Sequence, residues 1–255
     1  MDIWSDNEDP DAPFHIRGSA RRGRFVITCD HATNRVPAEV GDLGLPPSDM
    51  ARHIAYDIGA LGVARALGEA LESPVVSANF SRLVIDPNRG DDDPTLVMKL
   101  YDGTIIPGNR TADVAGRIRQ FYRPYDDALA AAMAARPMAA LISVHSFTPQ
   151  LRGRPPRPWE IGILYAGDAR LSAPFIEELR RDASLTVGVN EPYVGHLPGD
   201  AVDRHALRTG RHNTLIELRQ DEIADSAGQT CWAARLVEPL TRALDRALDG
   251  AGASA

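Results

Sequence analysis

The chain has 255 residues, 44% hydrophobic and 25% charged, with a formal charge of −7 at pH 7, enough for one large α/β domain with a substantial core. The acidic balance argues against a nucleic-acid partner, because tracking phosphates needs concentrated Lys and Arg, and an anionic substrate must instead meet locally placed arginines. No apolar run approaches the roughly 20 residues that span a bilayer, so no membrane partner is expected. With only Cys29 and Cys231 there is no disulfide framework and no C-x-x-C, which points to a cytoplasmic setting, and Cys29 reads as a buried strand residue rather than a nucleophile.

Residues 1–22 open with Asp2, Asp6, Glu8, Asp9 and Asp11 and read as an acidic, solvated tail. A signal peptide would begin basic and turn apolar. Residues 23–250 read as a single domain. Phe25 to Cys29 is a short apolar, β-branched run, a buried strand that ends in the polar sequence Asp30-His31-Ala32-Thr33-Asn34. Residues 48 to 72 start at Ser48, a candidate N-cap, and carry Ile54, Ile58, Leu61, Leu67 and Leu71 at near-helical spacing, which predicts one helix. Pro74 to Ala78 and Arg82 to Ile85 are expected as strands, and the Asp-, Pro- and Gly-rich stretch from Asp86 to Arg110 as a loop over a site. Ala112 to Ala135 predicts a helix broken or kinked at Pro124, and Ala139 to Val144 a strand that delivers His145. Glu160 to Tyr165 and Asn213 to Leu218 are further strands, and Leu171 to Asp182 and Thr230 to Leu248 are helices. Strands alternating with long helices predict a sheet covered on both faces, with ligands outside the strand carboxyl ends.

The polar residues of interest fall at those ends. His31 and His145 each follow an apolar strand, and two neutral imidazoles make half of a tetrahedral zinc site that needs one more protein ligand plus water. Asn34 and Asp57 compete for third ligand. Asp57 is the better donor, since an ionised carboxylate binds zinc more strongly than an amide. His53, four residues before Asp57 on the predicted helix face, would orient it or bind metal itself. Glu217 is a carboxylate in an otherwise apolar strand, and burying it costs several kcal/mol unless it has a partner or a task. Arg219 could neutralise it; alternatively it is a general base that takes a proton from the attacking water and passes it to a leaving nitrogen. Arg82, Asn88 and Arg89 surround a strand exit where a guanidinium can grip a carboxylate or steady an oxyanion; alternatively, Asp86 and Arg89 simply pair across a turn. Asn190-Glu191-Pro192-Tyr193 reads as a mobile loop able to bring Tyr193 over a substrate. There is no Gly-x-Ser-x-Gly elbow, Walker loop or dinucleotide fingerprint.

Six motifs in order resemble the N-formylglutamate amidohydrolase family, from about residue 24 to residue 223: Cys-Asp-His-Ala, His-Ile-Ala-Tyr-Asp, Ser-Arg-Leu-Val-Ile-Asp-Pro-Asn-Arg, Ser-Val-His-Ser-Phe-Thr-Pro, Asn-Glu-Pro-Tyr and Ile-Glu-Leu-Arg-Gln-Asp. The resemblance implies a three-layer α/β/α fold with a central mixed sheet, like the zinc carboxypeptidases and aspartoacylases. It also implies zinc (Zn2+) held by His31, His145 and a third ligand, for which Asp57 substitutes where the related enzymes have a glutamate three residues after the first histidine and this chain has Asn34. Glu217 then matches the catalytic glutamate, Arg82 the oxyanion-stabilising arginine, and Asn88 with Arg89 the pair that holds a substrate carboxylate; Ser146 follows the last zinc histidine, and Tyr193 and Ser146 complete the substrate contacts. The implied substrate is a small acidic N-acyl amino acid, N-formyl-L-glutamate being the first expectation. The alternatives are another N-acyl substrate, or a non-catalytic protein on the same fold that binds an acidic ligand through Arg89.

Overall fold

Runs such as Phe-Val-Ile-Thr-Cys, apolar on both faces, belong in the interior of a parallel sheet, and the computed structural model, which describes residues 3–252, places them there. In chain order the elements are β1 (Phe14–Arg17), β2 (Phe25–Cys29), α1 (Pro47–Met50), α2 (Ala60–Ala70), β3 (Val75–Ala78), β4 (Leu100–Tyr101), β5 (Thr104–Ile105), α3 (Val114–Arg117), a π-helical turn (Ile118–Tyr122), α4 (Arg123–Ala135), β6 (Ala140–Phe147), β7 (Ile161–Leu164), α5 (Ser172–Leu179), β8 (Val187–Val189), α6 (Ala201–His205), β9 (Asn213–Arg219) and α7 (Ser226–Gly252). Seven strands form one mixed sheet in the order β1-β3-β2-β6-β9-β7-β8, and β4 with β5 makes a separate hairpin. β3, β2, β6 and β9 run parallel, so their carboxyl ends share one edge; β1 runs against β3, and β7 runs against β9 but parallel to β8.

Alternation along the strands divides the core into two layers. Val26, Val76, Leu141 and Leu215 pack against Tyr125, Ala128, Leu129 and Ala132 of α4. Phe25, Ile27, Ile142, Val144 and Ile216 face α2, α5 and α7, meeting Val63, Phe175 and Leu240. This is the three-layer α/β/α arrangement the resemblance implies, and Cys29 is fully buried as expected. No helix among the described residues is long and apolar enough to cross a membrane.

Four local expectations are corrected. Residues 1–22 are not all tail: Phe14 and Ile16 alternate inward, and β1 pairs antiparallel with β3 from Phe14↔Ala78 to Arg17↔Val75, while Asn7 bridges Ile16. Asn79 Nδ2 donates to the carbonyls of Pro10 and Ala12, tying that segment down further; Asp2 lies outside the described residues. The helix over 48–72 is two helices, α1 capped at Pro46 rather than Ser48, separated by turns through which His53 and Asp57 pass, so these two do not share a helix face. Arg82 to Ile85 is a turn, not a strand. His145 lies within β6 rather than beyond it. The helical segment after Ala112 absorbs Pro124 through the π-helical turn and the start of α4.

Gly59 fixes the break before α2. Its φ is +80°, and a Cβ there would sit 2.2 Å from the Ile223 carbonyl oxygen. Gly59→Ala is therefore expected to cost about 1–3 kcal/mol of stability, read as a fall of several degrees in thermal unfolding. Gly41→Ala, at φ +80° with nothing within 4 Å, should cost less; equal losses would show that close approach to Ile223 is not what sets the break.

Candidate active site

Three side chains converge where the parallel strands end. His31 follows β2, His145 projects from β6 toward the α4 layer, and Asp57 arrives from the break before α2, its N–H donating to the His31 carbonyl at 2.9 Å. His31 Nδ1 lies 3.2 Å and His145 Nδ1 2.8 Å from Asp57 Oδ2, and the ligand atoms of the three lie within 4.8 Å of one another. All three are buried.

Each imidazole is gripped from behind. His31 Nε2–H donates to Asp86 Oδ1 at 2.6 Å, and His145 Nε2 lies 3.0 Å from Ser143 Oγ and 3.3 Å from Asp30 Oδ2. With carboxylates at its outer nitrogen, each ring is oriented so that Nδ1 faces Asp57 Oδ2, where a shared proton or a cation meets all three donors. This donor set fits a metal ion. Asp86 is itself fixed by Arg82 Nη2 at 2.9 Å and by the Asn88 N–H at 2.9 Å. Asp30 accepts from the Tyr125 hydroxyl and from Thr28 Oγ1. Neither Asp30 nor Asp86 stands out in the sequence as a partner of these histidines: Asp30, adjacent to His31, serves His145, and Asp86 pairs with Arg82 rather than Arg89.

Glu217 on β9 is in direct register with His145 on β6. It is 6% exposed, and its Oε2 has no hydrogen-bond partner. Arg219 does not neutralise it; that guanidinium binds Asp221 at 2.8 Å and Glu222 at 3.0 Å. Burial pushes the Glu217 carboxyl up, His145 pulls it back and Asp57 raises it again, leaving it at about 7. Burial also raises Asp57, yet His31 and His145 together hold it well below the usual carboxylate range. Two carboxylates in one site are thus driven apart, one held ionised and one poised near neutrality.

These groups line a cavity of about 420 Å3 that also includes Asn88, Arg89, Tyr101, Leu164, Tyr193 and Asp200. Asn88 Oδ1 is buried without a partner. Arg89 donates to the Asn88 carbonyl at 2.7 Å and to Thr95 Oγ1 at 3.1 Å and meets no carboxylate among the described residues. Arg82 reaches the cavity wall, but Asp86 and Asp57 Oδ1 (3.4 Å) engage its guanidinium, and the Tyr101 ring lies 5.3 Å away. Arg82 Nε is buried without a partner, so the guanidinium keeps a donor beyond those that the two carboxylates engage. Ser146 lines the cavity; its hydroxyl donates to the Ile58 carbonyl at 2.8 Å and accepts from Gln220, while its N–H donates to Asp57 Oδ2 at 3.3 Å. Tyr193 lines the cavity, and its ring and hydroxyl meet Arg157. Among the alternative ligands, Asn34 donates to the Met50 carbonyl and His53 lies 3.4 Å from Asp102. His205 pairs with Asp126 outside the cavity wall.

A family model described as N-formylglutamate amidohydrolase matches residues 23–224. Gene product Atu2144 from Agrobacterium tumefaciens is a similar solved structure, with 34% identity and a TM-score of 0.86 over 94% of this chain and 98% of that one. An N-formylglutamate amidohydrolase from Ralstonia eutropha JMP134 shares the fold at 22% identity, with a TM-score of 0.65 over 94% of this chain and 99% of that one. No curated protein sequence matches.

The grip on the histidines predicts that Asp86→Asn or Asp30→Asn weakens divalent-metal affinity about 10- to 100-fold, whereas Asp57→Ala abolishes stoichiometric binding. Competition titration against a chelating dye measures both, and an unchanged affinity in the Asn variants would remove the outer carboxylates from the site. Glu217 makes a prediction about pH. Its folded pKa, about 7, exceeds the ordinary 4.5, so between these values the unfolded chain gives up its proton first and stability falls as pH rises. In metal-free protein, Glu217→Gln should gain on the order of 2–3 kcal/mol over wild type at pH 8 and nothing near pH 4. Denaturant melts at the two pH values test this, and a gain independent of pH would contradict it.

Proposed function

Because the chain belongs to the N-formylglutamate amidohydrolase family, we propose that this amidohydrolase cleaves the amide bond of a small N-acyl amino acid, N-formyl compounds first among them, in a metal-dependent reaction. The observation that carries the reading is the unpartnered, buried Glu217 Oε2 in the same cavity as the His31–Asp57–His145 donor set. N-formyl-L-glutamate is the substrate that the family name supplies. The two cysteines are unpaired, which suits the cytoplasmic setting expected from the sequence.

His31, Asp57 and His145 would hold a divalent cation, zinc by their nitrogen and carboxylate chemistry, which when bound supplies Lewis-acid polarisation of the acyl carbonyl and acidifies the attacking water. Glu217 accepts the proton of that water as it adds to the acyl carbon, then delivers it to the departing nitrogen as the C–N bond breaks. Leu215 and Leu164, in the cavity wall with Glu217, help keep water from the carboxylate and its proton affinity high. Arg89 binds the substrate carboxylate and the free Asn88 Oδ1 accepts a substrate N–H. Tyr193, steadied by Arg157, covers the bound molecule. Arg82 holds Asp57 directly and orients His31 through Asp86.

Formate release from N-formyl amino acids, before and after chelation, is the direct test. Glu217→Gln should lower kcat by about 10^2- to 10^4-fold with substrate binding retained, and Arg89→Ala should act mainly on KM. Turnover that survives exhaustive chelation would remove the metal from the reaction. A Glu217→Gln variant as active as wild type would make Glu217 a structural residue.

A further inference from the structure

Asp200 lines the cavity and takes no part in the chemistry above. It caps α6, with Oδ1 accepting the Asp203 N–H at 2.7 Å, and it is 6% exposed. It has no ion-pair partner among the described residues: neighbouring Arg204 is held by Asp126 at 2.8 Å and donates to the carbonyls of Arg89, Gly199 and Pro87. Burial correspondingly pushes the Asp200 carboxyl up. Arg204 acts on Asp200 only from a distance, and a buried carboxylate without an ion-pair partner is costly, a cost that a cation brought by a ligand reduces.

The surroundings say what kind of ligand would bring it. Leu164, Val194, Leu197 and Leu215 line the same cavity, and apolar walls beside a carboxylate match an aliphatic stem with a charged tip. The arginines of the cavity wall are Arg82, whose charge Asp57 and Asp86 answer, and Arg89, which meets no carboxylate among the described residues. Arg157 supports Tyr193 from outside that wall. The one guanidinium whose charge is not already answered suits one substrate carboxylate. A second carboxylate, as on glutamate, would meet the charge of Asp200 instead.

We propose that Asp200 is a specificity-determining residue that selects N-acyl amino acids with a cationic side chain, of lysine or ornithine type, over N-acyl glutamate. The proposal rests on the amidohydrolase reading for the acyl group, while the charge preference is measured apart from turnover. Calorimetry on the full-length Glu217→Gln protein would compare Nα-formyl-L-lysine, Nα-formyl-L-norleucine and N-formyl-L-glutamate, with formate release by wild type followed in parallel. The lysine compound should bind about 10- to 100-fold tighter than the other two. Asp200→Asn, which keeps a good helix cap, should bring lysine and norleucine to within a few fold of each other. Should that variant fail to fold, the lysine-to-norleucine ratio of the parent protein decides. Equal or tighter binding of glutamate, a lysine preference that survives Asp200→Asn, or no binding of any of the three overturns the proposal. Formate release without charge preference sinks this inference and leaves the amidohydrolase reading standing. Selective binding with no release by metal-loaded wild type does the reverse.

Discussion

The carboxylate of Asp57 is buried against two imidazoles and a guanidinium, and much of the molecule follows from the need to keep that charge compensated. Oδ2 faces His31 and His145, Oδ1 faces Arg82, and the Ser146 N–H adds a further donor. Removing any one partner would leave a charge in a low-dielectric interior, which costs more than the lost contact alone. The outer carboxylates Asp86 and Asp30 balance the same cluster from behind, so the three donors are fixed by partners that come from β2, β6 and the turn after β3. The His31, Asp57 and His145 side chains, which could hold a metal ion, are oriented by these partners alone.

Glu217 depends on the same cluster in the opposite sense. It shares the cavity with Asp57 but has neither arginine nor backbone donor to satisfy Oε2, and burial therefore dominates its proton affinity. The contrast between an ionised ligand and a carboxyl near neutrality arises from where partners are supplied and where they are withheld, not from the residue types. β6 and β9 make this possible: parallel pairing in register puts His145 and Glu217 side by side on one face, while the turn after β3 sends the Arg82 Nη atoms to Asp57 and Asp86.

The far wall of the cavity is assembled from segments distant in sequence. Gly199 and Gly90 approach closely enough that a Cβ on Gly199 would come 2.8 Å from the Gly90 Cα, and Arg204 bridges the carbonyls of Arg89 and Gly199. Arg89 and Asp200, opposite in charge, are thereby held in one cavity. That gives it a polarity along which a zwitterionic ligand can be read.

The sequence by itself determined the apolar strands β2, β6 and β9, the two histidines and the glutamate on or directly after them, and the reading that Asp57, not Asn34, joins the two histidines. These follow from local chemistry: a charged or imidazole side chain in a buried strand is legible because it violates the pattern around it. It did not determine that the segment over 48–72 breaks at Gly59, that Phe14 to Arg17 joins the sheet edge, or that Arg82 to Ile85 turns, since helical spacing and short apolar runs are compatible with several structures until packing chooses among them. Nor could it pair Asp30 with His145, Asp86 with His31, or leave Asp200 without a cation. Those outcomes depend on which strand lies beside which and on which face each side chain emerges. That information resides in the register of the sheet and the crossing of its loops, and only the tertiary structure decided it.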